Sequence, residues 1–299
     1  MHIAITGATG MVGRALSATL NAAGHRIVPV SRRPLPGGVH WNPARGEIDA
    51  AGLAGVEAVV NLAGENLAAG RWSEPVKRRI WESRVDGTAL LCRTLAAATT
   101  PPAVLVSVSA IGVYGAQHGD VTLDESMPAG DDFLARLCVA WEGATAPALA
   151  AGVRVVHPRI GLILSREDGA LAKMLPPFRL GLGGRLGSGQ QWASWVAIDD
   201  VVATLIHAIT NRELSGPVNC ATANPVRNAE FTRVLASVLH RPAVIPVPAP
   251  LLRLVFGEMA EMTLLASLRV SSSKLLASGF TFRFPELHGA LEHLLPVSR

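Results

Sequence analysis

The short β-branched run His2-Ile3-Ala4-Ile5-Thr6 leads into Gly7-Ala8-Thr9-Gly10-Met11-Val12-Gly13, after which Ala15, Leu16 and Leu20 continue at helical spacing up to Gly24. A strand, a glycine turn and a helix in that order leave few folds open. Gly7 permits the tight turn, Gly10 lets backbone amides approach a ligand, and Gly13 lets helix and strand pack closely. Free amides and the dipole at a helix start favour negative charge, so such a turn suits a pyrophosphate. A tight turn that binds nothing is the plain alternative. The element schedule that follows argues for the dinucleotide.

A second strand, Arg26 to Ser31, comes at once, followed by strand-like 58–62, a helix over 74–98 and a buried strand over 103–109. A further helix, 132–150, leads to the strand 153–157. Strands alternating with helices imply a parallel sheet covered on both faces. The fold class is α/β: a Rossmann-type doubly wound parallel sheet with a smaller C-terminal substrate lobe. Glycines crowd between Gly181 and Gly189, and prolines (Pro242, Pro246, Pro248, Pro250) mark the last part of the chain. The expected division gives 1–165 and 196–223 to the dinucleotide-binding part, and 166–195 and 224–299 to the substrate lobe and C-terminal extension.

Composition closes off other classes. With 299 residues, 49% hydrophobic and 17% charged, the chain can bury a large core and is neither disordered nor fibrous. The formal charge of +4 does not point to nucleic acid, because no Arg/Lys block with interleaved aromatics occurs. The three cysteines, Cys92, Cys138 and Cys220, are far apart and show no ligand spacing, which fits reduced thiols in a cytoplasm. The nine histidines offer no metal pair, and His288 and His293 are too far round a helix. Met1 runs straight into a strand-like segment and the uncharged stretch 94–119 is broken by Pro101-Pro102, so neither secretion nor membrane spanning is expected. The expectations are a cytoplasmic monomer or homodimer acting on a small-molecule substrate, with no metal, nucleic acid or membrane partner.

The end of the second strand selects the dinucleotide. An acidic residue there favours NAD, whereas arginine pairs with a 2′-phosphate. The sequence reads Ser31-Arg32-Arg33 with no carboxylate, so NADP(H) is expected, Arg32 before Arg33.

The spacing TGxxGxxG, with Asn61-Leu62-Ala63-Gly64, Val113-Tyr114-Gly115 and Gly187-Ser188-Gly189-Gln190 leading to Val196 through Val201, resembles the extended short-chain dehydrogenase/reductases. Gly64-Glu65-Asn66, Arg71-Trp72, Ser83-Arg84-Val85, Trp141-Glu142 and Gly181-Leu182-Gly183-Gly184 resemble an atypical branch, the epimerase family proteins. That branch carries a C-terminal extension, which Gly257-Glu258, Arg269-Val270, Lys274-Leu275 and Gly279-Phe280-Thr281-Phe282 also resemble. Serines stand at 271 and 272 where a proline is expected nearby. The resemblance implies a lobe over the nicotinamide end and a cofactor set of Gly7, Thr9, Gly10, Met11, Val12, Gly13, Ser31, Arg32, Leu62, Ala63, Gly64 and Arg159. It does not hand over a reaction.

Typical members of the superfamily use a Tyr-x-x-x-Lys pair on one helical face, the lysine lowering the tyrosine pKa. This chain has one tyrosine, Tyr114, followed four residues later by His118 in an expected loop. Counting back from Glu142, Leu134 and Cys138 stand at the two positions, so the usual pair is absent. Candidate stand-ins are Tyr114, Ser109 and Glu65, then Cys138, with Asp124-Glu125 more remote. Each has a plain reading as packing or local bonding. On the helix after Ser73, Lys77, Arg78 and Arg79 read as a solvated face, and Arg84 as a residue that could meet a substrate anion. Two functions follow: an NADP(H)-binding epimerase or reductase with an atypical proton donor, or a non-catalytic NADPH-binding regulatory or sensor protein.

Overall fold

The computed structural model describes residues 1–68 and 70–296; residues 297–299 of the expected extension lie outside the described residues. The main sheet is built from β1 (His2–Thr6), β2 (Arg26–Ser31), β3 (Val39–Asn42), β4 (Glu47–Ile48), β5 (Ala58–Asn61) and β6 (Val104–Ser107). Two later strands, Arg154–Ile160 and Gly216–Cys220, complete it. From one edge the order is Gly216–Cys220, Arg154–Ile160, β6, β5, β1, β2, β3, β4. Pairing is parallel except between β3 and β4.

Alternation within β1 explains the two layers. Ile3 and Ile5 face one side, against Leu16 and Leu20 of helix α1 (Met11–Ala22) and Val201 and Leu205 of the helix Ile198–Thr210. Ala4 faces the other side, with Val59 of β5, against Leu91 and Leu95 of helix α2 (Glu74–Ala96). Each such aliphatic side chain withdrawn from water is worth about 1.5–3 kcal/mol.

The smaller lobe has its own core. Leu171 and Phe178, Phe231 and Leu235, and Leu287 and Leu291 close around Trp195, which has no exposed surface. The C-terminal segment also reaches back to the sheet, since Leu275, Phe280 and Phe282 pack into the same core as Ile3 and Ile5. No helix among the described residues is long and apolar enough to cross a membrane.

Three local expectations shift. The helix expected over 132–150 is two, α3 (Phe133–Gly143) and a short one at Ala146–Ala150. Pro147 sits in the first turn of the second, where its missing N–H costs nothing. The strand expected over 103–109 stops at Ser107, and Ser109–Ala110 pairs separately with Arg159 and Ile160. His118 lies in a strand, Gln117–Leu123, rather than a loop, because Ser267–Val270 arrives as its parallel partner.

Candidate functional site

The neighbours of β1 are β2 and β5, so the chain runs outward on one side and then crosses to the other. Ligands of open α/β sheets bind at this switch, outside the carboxyl ends of the strands. The glycine turn after β1 and the segment Leu62-Ala63-Gly64 after β5 form its two lips. Gly7 takes φ +66°, and a Cβ there would stand 3.0 Å from the Leu62 carbonyl. A Cβ on Gly13 would stand 2.2 Å from the Gly7 oxygen. The turn closes with the Gly10 N–H donating to the Gly7 carbonyl at 3.0 Å.

The first turn of α1 is bare. Gly10 at the cap offers no side chain, and no acidic residue stands in the first turn. The N–H groups of Met11, Val12 and Gly13 meet no acceptor among the described residues. Thr9 is exposed beside them and accepts from the Arg14 guanidinium through its carbonyl at 2.8 Å. At the end of β2, Ser31 Oγ accepts the Arg33 N–H at 3.2 Å. Arg32 and Arg33 are both exposed, and neither pairs with a carboxylate among the described residues. These features fit a dinucleotide: unpaired amides for the pyrophosphate and free guanidinium groups for a further phosphate.

Beneath the lips lies a buried polar network. Thr6 Oγ1 donates to Asn61 Oδ1 at 2.7 Å and accepts the N–H groups of Leu62 and Ala63 at 3.0 and 3.1 Å. Asn61 Nδ2 donates to Thr88 Oγ1 and Ser107 Oγ at 2.8 and 3.1 Å. The Trp141 indole also donates to Thr88 Oγ1, at 3.0 Å. This network fixes the lip against the glycine turn. Sequence reasoning did not assign it; the signal was polar residues, Thr6 and Asn61, closing otherwise apolar strands.

Tyr114, Arg159 and Glu142 form a second buried group. Arg159 pairs with both Glu142 oxygens at 2.9 Å and donates to the Tyr114 hydroxyl at 3.2 Å. That hydroxyl donates in turn to Asn219 Oδ1 at 2.8 Å. Burial raises the Tyr114 pKa above the phenolic value, although Arg159 opposes the rise. Burial opposes the charge on Arg159, but the bonds to Glu142 outweigh it and keep the guanidinium protonated. Of the remoter candidates, Asp124 is engaged locally, accepting the Ser126 N–H, whereas Glu125 reaches the Tyr114 group by accepting the Asn219 N–H at 2.7 Å.

On α3, Leu134 and Cys138 face inward and are buried. Burial pushes the Cys138 thiol up to about 11, with the Glu142 charge adding to the rise. Ser109 Oγ is buried beside this thiol without a hydrogen-bond partner that meets ordinary geometry. Glu65 is about half-exposed, its N–H held by Ser83 Oγ at 2.9 Å and its carboxylate 3.9 Å from Arg79. Arg84 is 9% exposed, with its guanidinium 5.2 Å from the Trp141 ring centroid. Burial lowers its pKa to about 10. Lys77 departs from a solvated face, since it bonds Glu258 of the C-terminal segment at 2.8 Å and Glu74 at 3.0 Å. Trp195 is core, whereas the Trp192 ring meets the guanidinium groups of Arg227 and Arg269, 4.3 and 4.9 Å from its centroid.

Residues 3–221 match the family model described as the NAD dependent epimerase/dehydratase family, and residues 247–294 match a domain of unknown function, DUF1731. An epimerase family protein of Mycobacterium tuberculosis is 43% identical over 291 residues, covering 97% of this chain and 96% of that one. The Homo sapiens epimerase family protein SDR39U1 is 38% identical over 298 residues, covering 99% and 100%. A crystal structure of the human protein, isoform 2 with NADPH, superposes with a TM-score of 0.92 at 37% identity, covering 98% of this chain and 99% of that chain. A nucleoside-diphosphate sugar epimerase from Corynebacterium glutamicum gives a TM-score of 0.81 at 37% identity, over 99% of this chain and 58% of that chain. With its glycine-turn core and its own C-terminal segment, the chain belongs to the NAD dependent epimerase/dehydratase family, in the branch of the epimerase family proteins.

Proposed function

We propose that this chain binds NADP(H) in the crevice between the ends of β1 and β5 and acts on a small carbonyl or hydroxyl compound beneath the C-terminal lobe. The observation that carries the reading is the bare first turn of α1, where the amides of Met11, Val12 and Gly13 have no acceptor among the described residues. Arg32, exposed and paired with no carboxylate among the described residues, is the group for the 2′-phosphate, with Ser31 beside it. The human relative solved with NADPH supports the same choice.

When bound, the nicotinamide donates or accepts a hydride. The chain's own residues do the rest. Leu62 and Ala63, anchored by Thr6, wall the crevice and leave no room for a side chain at Gly7. Tyr114 is a positioning residue: its hydroxyl is engaged on both sides, and Arg159 belongs to the same wall. Glu65 and Ser109 are left to hold or move a proton, one half-exposed at a strand's carboxyl end and the other a buried hydroxyl beside the Cys138 thiol.

A second reading, NADP(H) binding without turnover, draws on the buried Leu134 and Cys138 at the positions of the usual Tyr/Lys pair. The test combines calorimetric titration of NADPH with loss of reduced-nicotinamide absorbance over panels of carbonyl compounds and nucleotide sugars. Binding with oxidation supports the enzyme. Binding with no oxidation across both panels favours the sensor. Absence of heat with both NADPH and NADP+ overturns both.

A further inference from the structure

Arg84 is more than nine-tenths buried, yet no carboxylate lies within ion-pairing distance of it among the described residues. Glu65 is the adjacent acid, and it is directed at Arg79. A guanidinium carries five N–H donors. Among the described residues the protein engages it through a single long bond, Nη1 to the Ile80 carbonyl at 3.4 Å. The group lies over the Trp141 ring and against Gly64, where a Cβ would stand 2.8 Å from Cζ. Gly64 therefore clears space for the guanidinium, and it directly follows the lip residues Leu62 and Ala63. The Glu65 charge favours this cation from a distance but does not pair with it, and a buried guanidinium with no ion-paired carboxylate is a costly arrangement of the kind found where a ligand supplies the anion.

We propose that Arg84 is the substrate's anion receptor, its planar fork taking the carboxylate of a small carbonyl or hydroxy acid through two parallel N–H···O bonds. The assignment rests on the reading that the adjoining crevice holds NADP(H). A carboxylate matches the fork in shape and in single charge. A phosphate would favour a second cation; of the nearby basic residues of α2, Lys77 is paired with Glu258 and Glu74, Arg79 lies toward Glu65, and Arg78 is exposed. The cation reaches this place from α2, next to Cys138, where typical members of the superfamily carry a lysine on α3.

The test is calorimetric titration of oxamate into the full-length protein, with and without NADPH, using acetamide as the neutral control. Oxamate is expected to bind saturably and acetamide not at all. Arg84→Gln should weaken oxamate by about tenfold or more while NADPH affinity stays within about twofold. Arg84→Lys, which keeps charge but loses the fork, should fall between. Gly64→Ala, which displaces the guanidinium without removing it, should weaken oxamate too. Arg84→Gln should melt no lower than the parent, since it removes an unpaired buried charge; a packing role would lower the midpoint and leave oxamate binding proportionate to the folded fraction. Oxamate that fails to bind the parent, or binds Arg84→Gln equally well, overturns the assignment. If NADPH alone fails to bind, the cofactor reading falls, while the titration without NADPH still judges Arg84.

Discussion

The glycine turn and the Tyr114 cluster lie on the same sheet but treat their polar groups in opposite ways. At the turn, three consecutive amides, Met11 to Gly13, meet no acceptor among the described residues, and two arginines stand at the next strand end with no carboxylate paired to them there. Around Tyr114, the hydroxyl, the Arg159 fork, both Glu142 oxygens and Asn219 are bonded to one another. Protein interiors rarely leave polar groups unsatisfied without a reason. Uncommitted donors thus mark the place where a ligand completes the structure, and closed networks mark walls. Arg84 belongs with the turn by this criterion, and Tyr114 does not.

The largest effect should come from breaking the closed network. Glu142→Ala leaves Arg159 buried and uncompensated, and should cost about 3–5 kcal/mol in chemical denaturation. If the loss is small, the cluster is not the closed wall described. Next comes the open region. Gly13→Ala drives a Cβ into the Gly7 oxygen and the Ala8 backbone, so about 1–3 kcal/mol of stability should go, and NADPH binding should fall disproportionately in calorimetry. Arg32→Ala sharpens the cofactor side: preference for NADPH over NADH should drop by about tenfold, or about 1.4 kcal/mol, with Arg33→Ala weaker.

The smallest effect concerns pH. Burial holds the His157 imidazole below its ordinary 6.5, with its ring nitrogens near Ser107 O and Thr145 Oγ1. As pH falls below 6.5 the unfolded chain takes up the proton before the folded one does. Stability should therefore decline as pH falls from that value toward the depressed folded pKa, and His157→Gln should flatten that part of the profile. Denaturation midpoints across this range provide the check.

What could be read along the chain was what is local. The turn from Gly7 to Gly13 and the arginines at 32 and 33 are contiguous, so their chemistry is written within a few residues. The sheet followed from alternating strands and helices. Long-range pairs were not legible. Thr6 meets Asn61 across 55 positions, Asn61 meets Ser107 across 46, and Lys77 meets Glu258 across 181. His118 became strand for the same reason, since its partner segment begins at Ser267. Burial of Arg84 was equally hidden, because only the approach of Gly64 and Trp141 encloses it.

Amide-resolved magnetic resonance during an NADPH titration addresses the proposed grip on the pyrophosphate without relying on turnover. The N–H signals of Met11, Val12 and Gly13 should move downfield and gain protection from exchange, as donors that acquire an acceptor do, while the Asn219 side-chain amide stays in place. A first turn that stays silent while NADPH binds, with the shifts gathered instead around Tyr114 and Asn219, would contradict the account.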